Sequence, residues 1–128
     1  MFRVEVSVKP GFPDPRGEAL QKDIHDLGIA TADRVRVSDV YLLEGALSHK
    51  EAELICQELL ADPIVEEYSI GEAPLVAPED AHAVEVAYNL GLMDPVEESV
   101  SKGILDLGIT TVESVKTAKR YYLWGELS

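Results

Sequence analysis

Apolar and polar positions alternate in FRVEVSV, residues 2–8, and again in AVEVAY, residues 83–88. A period of two sends successive side chains to opposite faces, which is the pattern of a half-buried strand. RVRVSDVYLLE, residues 34–44, and SVKTAKRYYLW, residues 114–124, carry the β-branched and aromatic content of strands as well. Between these runs the period lengthens. Ala19, Leu20, Ile24 and Leu27, and later Val96, Val100, Ile104 and Leu107, recur at the three-and-four spacing of an amphipathic helix. Asp14-Pro15 and Asp94-Pro95 open the two helices, because Asp supplies an N-cap oxygen and proline's fixed φ and missing N–H suit the first helical position. Gly28 and Gly108 close them, glycine being the residue best able to turn left-handed past a helix end.

These elements are one pattern written twice. Shifted by 80 residues, Val4 to Ser48 aligns with Val84 to Ser128 without a gap, and 20 of the 45 pairs are identical. VEV at 4–6 recurs at 84–86, and DLGI at 26–29 recurs at 106–109. Self-similarity of this extent is an internal duplication and governs the fold before any motif does.

Only the first copy continues. Ser48 and Glu51 form the S-x-x-E capping box ahead of AELICQELLA, a second helix ended by Asp62 and Pro63, and IVEEYSI then reads as a third strand. The predicted organisation is a unit at 1–70, a connector at 71–82 rich in proline and charge, and a second unit at 83–128 that is incomplete at its C-terminal end. Ser128 stands where Ser48 caps the next helix, so the expectation is the front part of a longer polypeptide. Apolar positions such as Val100, Leu123 and Trp124 would then be partly uncovered, and self-association is expected of the chain as it stands.

Charge narrows the partners. With 24 acidic and 11 basic residues the net charge is −13, which opposes a phosphate backbone, so no nucleic acid is expected. No window holds the eighteen apolar residues of a membrane span, so no membrane partner is expected either. Cys56 is the lone cysteine and the N-terminus lacks a signal-peptide pattern, which points to a cytoplasmic location. Cys56 sits at an apolar-leaning helical position and reads as a core thiol. His25 reads as a solvated helix-end residue, and His49 and His82 as exposed, with no metal-ligand spacing among the three. Gly11 and Gly17 fit neither a Walker loop nor a dinucleotide fingerprint, and the second copy puts Glu97 and Glu98 where a phosphate would lie. No catalytic residue, cofactor or metal is therefore expected, and no nucleophile, base and orienting group stand together as a hydrolase would need.

What remains is contact chemistry. On the last strand Tyr121 and Leu123 face one way and Tyr122 and Trp124 the other, so both faces are apolar or aromatic. Cover by a helix on one side and by the partner repeat on the other explains this pattern. A protein-binding face is the sharper reading, since tyrosine and tryptophan are favoured anchors. Tyr41 is the first-copy counterpart of Tyr121. Asp39 and Lys119 are likewise counterparts. If their strands meet about a pseudo-twofold axis, opposite charges approach where a homodimer would set like charges together. The candidate interface is thus Asp39, Tyr41, Lys119, Tyr121, Tyr122 and Trp124.

The order of features VEVSVKPGFPDPRGEALQKDIHDLGI, VRVSDVYLLEGAL and AELICQELLADPIVEEYSI resembles the PurS family, the small subunit of phosphoribosylformylglycinamidine synthase of purine biosynthesis. Residues 84–128 resemble a second such unit without its last helix and strand, and the tandem resembles the N-terminal region of fused large synthetases. The resemblance implies an α/β fold of α+β type, strand-helix-strand-helix-strand followed by a truncated strand-helix-strand, with paired units sharing one sheet about a pseudo-twofold axis. It implies no catalytic residue, a role in bridging glutaminase and synthetase parts, and help in passing ammonia between them. Two departures bear on detailed contacts: Ser38-Asp39 stands where the family has Gly-Lys, and PVEE replaces PRGE in the second copy. The alternative from another class is a regulatory domain that binds a small molecule between paired strand-helix-strand units.

Overall fold

The computed structural model describes residues 2–9, 11–28, 33–72, 80–87 and 95–125. Among these residues five antiparallel strands form one sheet in the order β3-β1-β2-β5-β4, with β1 at Phe2–Val8, β2 at Arg34–Gly45, β3 at Glu66–Gly71, β4 at Ala81–Ala87 and β5 at Val112–Trp124. Helices α1 (Pro15–Leu27), α2 (His49–Ile55) and α3 (Pro95–Asp106) complete an α+β architecture. Among the described residues no helix is long and apolar enough to cross a membrane.

The termini of the helices follow the local chemistry. Asp14 caps α1, its Oδ1 accepting from the Gly17 amide at 3.2 Å, while its Oδ2 accepts from the Val37 amide at 2.9 Å and ties the helix to β2. Gly28 ends α1 in the left-handed region at φ 67°. Ser48 and Glu51 close a reciprocal capping box on α2, and Glu51 also accepts from the Thr111 hydroxyl at 3.2 Å, linking the first repeat to the second.

Gly17 permits a close approach. A Cβ there would lie 2.1 Å from the Val35 carbonyl oxygen, so only glycine lets α1 sit this low on β2. The counterpart of Gly17 is Glu97, whose carboxylate accepts from the Thr117 amide at 3.2 Å. Thr117 corresponds to Val37. The second repeat therefore anchors its helix to the same strand position with a longer side chain.

One core serves both repeats. Val4, Val6 and Leu43 pack with Ala52, Ile55 and Leu60 of the first copy and with Val100, Ile104, Ile109 and Val115 of the second. Opposed residues of an antiparallel ladder share a face, so the helices cover the face that carries Val4, Val6 and Asp39. The other face carries Arg3, Glu5, Ser38, Val40, Arg120 and Tyr122, and no described helix lies over it.

Four expectations are revised. The predicted single helix over 52–61 continues past Ile55 as one π-helical turn, Cys56–Leu60, in which the Ala61 amide donates to the Cys56 carbonyl at 3.0 Å. β4 begins at Ala81, inside the span assigned to the connector. Ala19 and Leu27 of the α1 stripe are exposed. Val100, expected to be partly uncovered, is buried, whereas the repeats join edge to edge through β2 and β5 as paired units sharing one sheet would, with Glu5 and Arg34 of the first repeat reaching Tyr122 and Trp124. The readings at Asp94, Tyr88, residues 73–79 and Ser128 lie outside the described residues.

Candidate functional site

The β2–β5 ladder fixes where the two repeats meet. Asp39 stands opposite Lys119, its own counterpart, with Val37 opposite Tyr121 on one side and Tyr41 opposite Thr117 on the other. Each pairing maps onto another when the repeats are exchanged, so a pseudo-twofold axis passes through the Asp39–Lys119 position. The Lys119 ammonium donates to Asp39 Oδ1 at 3.1 Å, and the Arg16 guanidinium from α1 donates to the same oxygen at 2.9 Å. Burial works to raise the Asp39 carboxyl, but hydrogen bonds and charges from Arg16 and Lys119 outweigh it and hold the group below its ordinary value. Burial likewise opposes the Arg16 charge, and Asp39 more than offsets this, so Arg16 stays a cation.

Tyr41 and Tyr121 flank this ion pair on the helical face. With Arg16, Asp39, Lys119 and Val86 they line a cavity of about 480 Å³. Tyr122 and Trp124 stand on the opposite face, their rings 6.5 Å apart, with the Arg34 guanidinium 5.0 Å from the Trp124 ring centre. The structure therefore divides the six candidate residues: Asp39, Tyr41, Lys119 and Tyr121 come together at the axis, and Tyr122 and Trp124 belong to a separate surface.

That second surface holds a layer of buried charge that sequence reasoning missed. Arg3, Glu5 and Arg120 are all buried, as is Tyr122. The Tyr122 hydroxyl donates to Glu5, Arg3 pairs with Glu85 through Nη1 and Nη2, and Arg120 Nη1 lies 4.0 Å from Glu5 Oε1. Glu5 and Glu85 are the glutamates of the repeated VEV, which was the one available signal. Burial and then the Glu5 carboxylate push the Tyr122 phenol well above its usual range, so it acts as a donor and not as an acid at neutral pH. Arg3 Nε and Glu5 Oε1 lack a hydrogen-bond partner, which makes this layer costly to bury.

Burial, and to a smaller extent Glu53, pushes the Cys56 thiol up to about 12, far from a thiolate nucleophile. His25, His49 and His82 are exposed and scattered, and no group of three metal-ligating side chains occurs among the described residues. What the geometry provides is a sheet shared between two repeats, with an electrostatic lock on its axis.

The family model for PurS, phosphoribosylformylglycinamidine (FGAM) synthase, matches residues 1–72. This chain belongs to the PurS family. The PurS subunit of Archaeoglobus fulgidus FGAM synthase is 36% identical over 72 residues, covering 52% of this chain and 90% of that protein. That of Thermotoga maritima is 30% identical over 76 residues, covering 56% and 93%. The solved PurS of B. subtilis matches 56% of this chain and 96% of its own at 27% identity, with a TM-score of 0.49. The family model spans the first repeat, while β4, α3 and β5 lie beyond it.

Proposed function

We propose that this chain is a non-catalytic assembly module of FGAM synthase in purine biosynthesis, in which two PurS-like repeats, 1–70 and 83–128, take the place of a pair of PurS subunits. Its partners are the glutaminase and ATP-dependent synthetase parts of that enzyme, which it holds together so that ammonia released by one reaches the other. The Asp39–Lys119 pairing carries this reading. It joins the repeats as two subunits would join across a dyad, with opposite charges where two identical subunits would set like against like. The six candidate interface residues act in this reading as two contact surfaces, one at the axis and one at Tyr122 and Trp124.

The test is reconstitution of the synthase with and without residues 1–128. Loss of glutamine-dependent turnover with ammonia-dependent turnover retained is the expected result. Normal rates with both nitrogen sources would overturn the proposal. A regulatory ligand is the second reading, favoured only by the cavity at the axis. Amino acids and nucleotides that raise the melting temperature of the isolated chain would establish it.

A further inference from the structure

The two repeats present the same apolar positions and bury them unequally. Val4 and Val6 of β1 are 0% and 1% exposed, whereas their counterparts Val84 and Val86 of β4 are 50% and 55% exposed. In the first repeat the cover is α2 with its π turn, whose Ala52, Ile55, Cys56 and Leu60 share the core with Val4 and Val6. The outer edge of β1 is paired by β3. No described element does either for β4, which pairs with β5 alone and ends the sheet.

The helices repeat the contrast. Val100 and Ile104 of α3 are buried, and the π turn sets Leu59 against Gly103 of the same helix. The corresponding Leu20 and Ile24 of α1 are only half-buried. Exposed Val84 and Val86 and half-covered Leu20 and Ile24 are the surfaces that a second helix and third strand would bury if the repeats were alike. The cavity at the axis reaches this region, with Val86 on its wall.

We propose that the groove floored by β4 and walled by α1 receives an amphipathic helix followed by a strand, a segment of the same chemistry as residues 48–71. The helix covers Val84 and Val86 with apolar residues at the spacing of Ala52, Ile55, Cys56 and Leu60. The strand pairs antiparallel with the outer edge of β4, as β3 pairs with β1. The β4 edge is suited to such an addition: Ala81–Ala87 contains no lysine or proline, and its one acidic side chain, Glu85, is turned to the other face and engaged by Arg3. This inference concerns the groove alone and stands apart from the role proposed for the module.

The repeat spacing supplies the test. Position 128 corresponds to position 48, so a copy of residues 49–72 is joined directly after Ser128, in register. A second extended chain carries Ile55→Asp and Leu60→Asp in the appended copy only. The expected result is a melting temperature several degrees above that of the original chain and β4 amide exchange slowed by roughly tenfold or more, with the doubly substituted extension behaving as the original. Equal melting temperature and β4 exchange in all three chains would overturn the proposal. If β4 of the original chain becomes protected as its concentration rises, a second copy occupies the groove and the proposed occupant is wrong. Protection by an amino acid or nucleotide, but not by the extension, would also reject it. Should an extended chain prove insoluble, a peptide of residues 48–72 is added to the original chain and β4 exchange is read in the same way.

Discussion

Lys119 holds Asp39 at 3.1 Å across the axis of the duplication, so the residue that each repeat places at its own centre meets a partner of opposite charge. Lys119→Asp recreates the like-charge arrangement of an identical pair. Directly opposed like charges on neighbouring strands are unfavourable by up to about 1 kcal/mol. A lower urea midpoint is expected, with the loss shrinking at high salt as screening takes effect. A midpoint equal to that of the original chain at low salt would show that the pair is silent.

The depressed Asp39 carboxyl sets a pH dependence of definite sign. A carboxyl held below its unfolded value adds stability that is present above that value, 3.8, and is lost as pH falls through the lower folded value. Urea midpoints taken from pH 6 to pH 2 should therefore converge for the original chain and Asp39→Asn at the acid end, with the original chain the more stable at pH 6. A constant difference across the range would contradict the lock.

Gly17→Ala tests the descent of α1 onto β2. The added methyl meets a backbone oxygen, which cannot move aside as a side-chain tip could. Overpacking of this kind costs about 1–3 kcal/mol, against the gain alanine would otherwise bring to a helix. The urea midpoint of the variant should fall, and a rise would show that α1 sits higher than described.

Cys56 should behave as a core thiol. At pH 8 an aromatic disulfide reagent should label it only after denaturant is added. Because its folded value lies near 12 against 9.0 for the free side chain, the folded state favours the neutral thiol, so its contribution to stability declines as pH rises from about 9 towards 12. Rapid labelling of the native chain at pH 8 would refute this.

The elements were legible because each carried its own punctuation. Asp14 with Pro15, Gly28, and Ser48 with Glu51 are local devices whose hydrogen bonds depend on neighbours in sequence, and they appear where the residues announce them. The duplication also made the meeting of Asp39 and Lys119 legible, since the two are counterparts at a spacing of 80 residues. The layer of Arg3, Glu5, Arg120 and Tyr122 was illegible, because polar residues on an alternating strand look solvated until a long ladder brings them over one another. The π turn was hidden for a similar reason: its extra residue per turn sends Leu59 towards Gly103 and Leu60 into the core, a choice made by distant partners.

Chemical identity on the two sides of a dyad is a constraint that covalent duplication removes. Between identical subunits, any change near the axis is made twice and must tolerate its own image. Here Ser38 and Val40 of one repeat face Arg120 and Ala118 of the other, so a cation sits in the layer on one side where the first repeat has a valine. The tether lets each half of the joint change alone, and a once-symmetric seam becomes a surface with a left and a right, able to present different faces to different neighbours.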